Sequence, residues 1–373
     1  MEAIFNRENW APVPFHFWSL VFFTFGSIVG SFLNVCIHRM PLGMSVVSPP
    51  SHCPHCKYSI PWFLNVPLLT WLSLGGKCKN CGAPISARYF LVELLTAVMF
   101  LCCWLAFGHD SAALALIYAM FIAALIVATF IDLEHFIIPD EITIGGAIVG
   151  FIVSLLWPAL HETNSLAGGL KASLLGIAVG AGSIYTILRV GKVLFGRQRV
   201  EIPANTRIVF SESALHLPDR EIPYDEIFYR TSDAIVLQAR TVELIDRGYA
   251  NARVRLALRA GELEIGGDKF NPEQCHHLEV VASELVLPRE AMGLGDVKFM
   301  AAIGAFLGWQ ATIFSLMVSS MIGALIGVVL ILCRKREWSS RLPYGPYIAA
   351  AAVIWIFFHV PIMVRFFPPP PPM

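Results

Sequence analysis

Six side chains in this sequence have types and spacings that could do chemistry: two aspartates and four cysteines. Asp132 opens the stretch Asp132-Leu-Glu-His-Phe-Ile-Ile138-Pro139-Asp140, a strongly apolar loop that holds acids at the end of a long apolar run. Asp296 closes Gly293-Leu-Gly295-Asp296 and is followed by Val297, Lys298 and another apolar run. Acids so close to lipid are costly, which makes them functional candidates by default. If the two carboxylates met, both could not ionise cheaply. One would keep its proton while the other took one from water, the acid and base pair of aspartic proteolysis. Gly293 and Gly295 would remove side-chain bulk and let a substrate backbone approach Asp296. Each feature alone has a plainer reading: Asp296 as a helix N-cap, and Asp132 as an interfacial residue reaching water.

The cysteines stand in two pairs, Cys53-Pro-His-Cys56 and Cys78-Lys-Asn-Cys81. Two tight C-x2-C knuckles can aim four thiolates at one tetrahedral Zn²⁺. The competing reading is a pair of disulfides, which are rare on the reducing side of a cytoplasmic membrane. A closed four-thiolate site has no open coordination position, so the metal is expected to hold a fold and not to perform chemistry. Cys36, Cys102, Cys103 and Cys333 sit in or beside apolar runs and read as small core residues.

The elements that must position these groups are membrane helices. Of 373 residues, 56% are hydrophobic and 14% charged, against roughly 25% charged in soluble proteins. The formal net charge is zero, which gives no argument for a nucleic-acid partner. Apolar runs able to cross roughly 30 Å of hydrocarbon occur near 16–37, 90–107, 112–131, 142–160, 170–194 and 310–333, with weaker candidates at 297–307 and 347–367. The expected fold class is therefore an α-helical polytopic membrane protein of about eight transmembrane helices. The first run lacks a basic segment before it and a cleavage site after it, and reads as a retained helix. Arg39, Lys57, Lys77, Lys79 and Arg88 in one loop and Arg334, Lys335, Arg336 and Arg341 in another face the cytoplasm by the positive-inside rule, whereas 108–111 and 161–169 carry no Lys or Arg. With that register both aspartates lie on the cytoplasmic side.

One block breaks the pattern: 28 of the 54 charged residues fall in 197–290. Alternation such as Arg253-Val-Arg-Leu-Ala-Leu-Arg259 is strand grammar, and a helix over 272–286 is expected to close a small β-rich soluble insert. Its Cys275, His276 and His277 read as a solvated helix end in preference to a metal site. The expected organisation is a first helix (1–37), a zinc-binding loop domain (38–89), helices with the first aspartate (90–195), the β-rich insert (196–288), helices with G-x-G-D (289–367) and a polyproline II tail (368–373).

Together these pieces resemble the bacterial type IV prepilin peptidases. The resemblance runs through Gly30-Ser-Phe-Leu-Asn-Val35, Arg39-Met-Pro41, both cysteine pairs, Asn65-Val-Pro-Leu-Leu69 with Trp71, Pro84-Ile-Ser-Ala-Arg-Tyr89 with Glu93, Asp132 to Pro139, Gly293 to Lys298, Gly308-Trp309 and Pro343-Tyr-Gly-Pro-Tyr347. It implies an aspartic endopeptidase that removes the leader of type IV prepilins or type II secretion pseudopilins at the cytoplasmic face of the bacterial inner membrane. Asp132 and Asp296 fall on the family's catalytic aspartates. Many members also methylate the new N-terminal amine with S-adenosylmethionine, an activity associated with the cysteine loop. The family usually reaches G-x-G-D through a short loop, so the insert is a departure, with pilus or secretion assembly proteins as its candidate contacts. Three other readings stay open at this point: another G-x-G-D intramembrane protease without methyltransferase activity, a proton-coupled transporter, and a zinc-ordered membrane scaffold in which the two aspartates serve only stability.

Overall fold

The structure is a computed structural model, and it describes residues 14–366 apart from 196, 219–220, 225–226, 229–232, 245–246, 273–274, 276–277, 289–292 and 334–341. His276, His277, the basic residues 334–336 with Arg341, and the proline tail therefore lie outside the described residues. The chain divides into two units, one of 1–184 with 294–373 and one of 185–293.

Seven long helices form the framework: α1 (Phe15–Arg39), α2 (Ala87–Phe107), α3 (Ala112–His135), α4 (Asp140–Leu156), α5 (Leu166–Phe195), α6 (Leu294–Leu332) and α7 (Gly345–Phe366). Among the described residues six of them, all but α4, are long and apolar enough to cross a membrane. Large apolar side chains such as Phe17, Leu20, Ile28 and Phe32 on α1 stand exposed, as helix surfaces facing hydrocarbon must. The protein is a multi-pass membrane protein. α3 is the most enclosed helix, burying Ile122, Leu125, Ala128 and Ile131. A helix apolar on every side belongs in the centre of a bundle.

The two runs read separately at 297–307 and 310–333 are two helical segments, the two halves of α6, which meet at a break where Gly308 takes the non-helical φ 79° and ψ 178°. That left-handed, extended conformation is one glycine adopts at little cost. α5 and the first half of α6 approach backbone to backbone: a Cβ on Gly176 would overlap the Gly304 carbonyl oxygen. Small residues permit this approach, and in lipid close packing is what associates helices. The run expected over 142–160 stops at Leu156 and continues as a 3-10 turn, Pro158–His161.

The second unit carries nine described strands in one antiparallel sheet, ordered β3-β2-β1-β9-β4-β6-β7-β8, with β5 beside β4. Their ranges are β1 Arg197–Phe210, β2 Ala214–His216, β3 Glu221–Pro223, β4 Ile235–Leu244, β5 Gly248–Ala250, β6 Arg253–Ala257, β7 Glu262–Ile265, β8 Asp268–Phe270 and β9 Leu278–Pro288. Ile208, Leu237, Val254, Leu256, Ile265 and Val280 belong to a common core. In place of the helix expected over 272–286, residues 278–286 belong to strand β9, and 273–274 and 276–277 lie outside the described residues. Leu278-Glu-Val-Val-Ala-Ser-Glu-Leu-Val has apolar residues at helical as well as alternating spacing, so periodicity is ambiguous over so short a run. Pairing with β1 on one side and β4 on the other decides it, because a central strand satisfies its backbone from both edges. Cys275 packs against the sheet core.

Candidate active site and metal centre

Asp132 lies in the last turn of α3, which ends when Phe136 enters the left-handed region (φ 55°) and donates its N–H to the Asp132 carbonyl. Pro139 then caps α4, and its carbonyl accepts the N–H groups of Ile142 and Thr143. Asp140 and Glu141 occupy the first turn of α4, where the positive end of the helix dipole favours acids. Asp296 occupies the first turn of α6, directly after Gly293 and Gly295. Both aspartates are buried, Asp132 at 6% exposure and Asp296 at 9%.

Two contacts join these distant motifs. Lys298 Nζ lies 2.7 Å from Asp140 Oδ1, an exposed pair worth at most about 1 kcal/mol. Ile138 is buried, and a Cβ on Gly295 would lie 3.6 Å from its Cβ. The G-x-G-D glycine therefore faces the Asp132 loop across a gap in which a Cβ would make ordinary van der Waals contact. A third element joins from the C-terminal part of the chain: Gly345 at the start of α7 donates its N–H to Asp132 Oδ2 at 2.8 Å. Gly345 carried no expected role beyond its place in Pro343-Tyr-Gly-Pro-Tyr347. Its signal was a glycine and a proline opening an apolar run, a helix-start pattern that does not say which side chain the free N–H meets. Arg88, at the exit of the cysteine loop, pairs with Glu134 beside Asp132.

The four cysteine sulfurs lie within 4.8 Å of one another. Cys53 and Cys81 are 3.9 Å apart, and Cys56 and Cys78 are 4.0 Å apart. A tetrahedron with metal–sulfur bonds of about 2.3 Å has edges of about 3.8 Å, so the cluster can hold a metal ion. No cysteine is disulfide-bonded. The Asn80 side chain, then the Tyr58 backbone N–H, holds the Cys56 thiol down to about 6. Backbone N–H groups of Cys81 and Asn80 lower Cys78 in the same way. Such donors favour thiolate, the form a metal requires.

The model of the bacterial peptidase A24 N-terminal domain matches residues 24–107, and that of the type IV leader peptidase family matches 119–198 and 278–328. A prepilin leader peptidase/N-methyltransferase of Aeromonas hydrophila is 30% identical over 370 residues, covering 92% of each chain. The chain belongs to this family. A relative of the same name from Myxococcus xanthus is 41% identical over 177 residues, covering 47% of this chain and 50% of its own. One from Pseudomonas aeruginosa is 25% identical over 357 residues, covering 88% of each. No solved structure matches the chain. The family model passes over 199–277, leaving most of the β-sheet outside the leader peptidase match.

Proposed function

We infer that the protein removes the leader peptide of type IV prepilins or pseudopilins at the cytoplasmic face of the bacterial inner membrane and N-methylates the residue so exposed. Asp132 and Asp296 are the catalytic pair, with Gly293, Gly295, Pro139 and Lys298 shaping their surroundings. What supports the pairing is the junction at Ile138, where the Asp132 loop faces the glycine that precedes Asp296, close enough that a Cβ there would be in contact. One carboxylate takes a proton from water as its oxygen adds to the scissile carbonyl carbon. The other carboxyl gives its proton to the amide nitrogen as the C–N bond breaks. The relatives from Aeromonas hydrophila, Myxococcus xanthus and Pseudomonas aeruginosa carry the peptidase name, which lends the proton-coupled transporter no support.

Eight passes fit this reading. α4 is about 25 Å long and the part of α6 before Gly308 about 20 Å, short for a bilayer but spanning where the bundle thins it. Supporting this, the ends of α3 and α7 meet at Asp132 and Gly345. At the opposite ends Phe15 stacks on His109, and a Cβ on Gly308 would lie 3.6 Å from His161. With the basic loops inside, the first group is cytoplasmic.

Zinc is the metal the four thiols suit, in a structural role. S-adenosylmethionine supplies an electrophilic methyl group when bound. Two buried acceptors fit its ammonium and hydroxyl donors. Asn34 Oδ1 has no partner among the described residues. The Glu93 carboxylate accepts the Leu68 N–H at 2.7 Å. α1 and α2 face each other here, since Asn34 Nδ2 donates to the Tyr89 carbonyl. The insert is a tethered accessory domain for pilus or secretion assembly proteins. A long insertion is tolerated because closure cost grows slowly with length.

Mass spectrometry of a pilin N-terminus processed by purified wild type and by the Asp132→Asn and Asp296→Asn variants tests the whole reading. Wild type should yield a cleaved, methylated terminus and each variant the intact leader. Cleavage by both variants would end the aspartic assignment. Deleting 200–285 should leave cleavage within about 3-fold while partner capture falls, because the leader peptidase match passes over 199–277.

A further inference from the structure

We propose that Gly345 is a positioning residue for the aspartate pair. Its backbone N–H holds Asp132 Oδ2 in one orientation, and only the absence of a side chain permits that hold. The inference rests on the peptidase reading above. The hydrogen bond is 2.8 Å long, buried, and spans 213 residues of chain. A Cβ at this position would lie 2.8 Å from Asp132 Oδ2 and 3.2 Å from Ile138 Cδ1. Contacts under 3 Å force something to move, and the atoms nearest are the carboxylate itself and the isoleucine that meets Gly295. Even alanine would therefore displace the group whose placement matters most.

The donor is itself held in place. Tyr344 Oη lies 3.0 Å from Ser319 Oγ and 2.8 Å from Ser320 Oγ, both on the second half of α6. The Tyr344 ring meets Tyr347 edge to face at 6.1 Å. The Tyr344 carbonyl accepts the N–H groups of Tyr347 and Ile348, starting α7. α6 thus carries Asp296 in its first turn and, beyond the Gly308 kink, the serines that fix the donor to Asp132. The two halves of α6 set, respectively, the position of one acid directly and the orientation of the other through Tyr344 and Gly345. With Oδ2 engaged, Oδ1, which has no partner among the described residues, is the oxygen left to exchange a proton with water or Asp296. Burial keeps water from competing for the Gly345 N–H, so the orientation persists between turnovers.

The test is steady-state cleavage of a synthetic prepilin by the full-length protein in lipid nanodiscs, followed across the pH range for wild type, Gly345→Ala, Tyr344→Phe and Asp132→Asn. Gly345→Ala should lower kcat by about 10- to 100-fold with KM within about 3-fold, since a displacement near 1 Å can cost 10²-fold. It should also move at least one limb of the pH–rate profile, which a loss of folded enzyme alone would not do. Tyr344→Phe adds no bulk and should act in the same direction by about 3- to 10-fold, and it decides the matter if Gly345→Ala does not fold. Methyl transfer to a pilin already cleaved should stay within about 2-fold in both variants, because it does not use the aspartates. Wild-type kcat and unmoved pH limbs in folded Gly345→Ala or Tyr344→Phe would overturn the proposal, as would an equal fall in methyl transfer. If wild type fails to cut prepilin, or Asp132→Asn cuts it normally, the peptidase reading falls, and that outcome is distinct from the failure of Gly345 alone.

Discussion

The cysteine cluster and the aspartate site differ in how far along the chain their builders lie. Each knuckle is made by its own few residues. Lys57 N–H donates to the Cys53 carbonyl and Gly82 N–H to the Cys78 carbonyl, both at 2.9 Å. Cys53 N–H donates to Tyr58 and Cys78 N–H to Ala83, at 3.0 and 2.8 Å. Lys57 and Gly82, each four residues after the first cysteine of its pair, both take positive φ, 58° and 70°. The same backbone bonds at the same offsets build the same half-site twice, so spacing alone announces it. The aspartate site has no such repeat. It draws on the end of α3 and the starts of α6 and α7, with a nine-stranded sheet inserted in the sequence between the first two. A motif predicts a site well where the hydrogen bonds that build it are local, and only names its parts where they are not.

The largest effect that would break this contrast comes from the aspartates. Asp132→Asn or Asp296→Asn should cut prepilin cleavage by about 10³-fold or more, as expected for loss of a catalytic acid or base, while metal content stays at the wild-type level. Parallel loss of metal would mean the two sites are not separate. Next, Cys53→Ser or Cys78→Ser should abolish metal binding, measured by elemental analysis, because three thiolates no longer close the tetrahedron. Methylation should fall and cleavage persist within about 5-fold, since the loop's fold and not the aspartate pair depends on the metal. A chelator that strips wild type should reproduce this split in the pilin's mass spectrum, with cleaved but unmethylated product.

Smaller effects sharpen the comparison. Lys298→Ala removes an exposed ion pair with Asp140, so cleavage should change by about 5-fold or less, near 1 kcal/mol. A change like that of Asp296→Asn would promote Lys298 from neighbour to participant. Smallest is Lys57→Gly, which relieves a left-handed lysine and makes the first knuckle match the second. It should stabilise the metal-bound loop by about 1 kcal/mol at most, read as slower release of metal to a competing chelator. Faster release would mean the Lys57 side chain contributes to the loop.

Much of the architecture was legible because lipid leaves a long apolar signature. The long helices correspond to runs that can be read off the composition, and the β-rich insert announced itself by charge and alternation. Reading failed where local signals were degenerate. Leu278 to Pro288 suits helix or strand by periodicity, and only its pairing with two neighbours made it β9. By contrast, the runs expected at 297–307 and 310–333 do correspond to the two helical halves of α6, which part at Gly308.

The residue types at 53, 56, 78, 81, 132 and 296, the apolar runs and the charged block were determined by the sequence itself, because each rests on composition or on offsets shorter than a helical turn. Only the tertiary structure decided that Ile138 faces Gly295 and that a backbone N–H from Gly345 reaches Asp132. A backbone donor looks the same at every residue, so its partner is set by where helices cross and not by the letter that carries it.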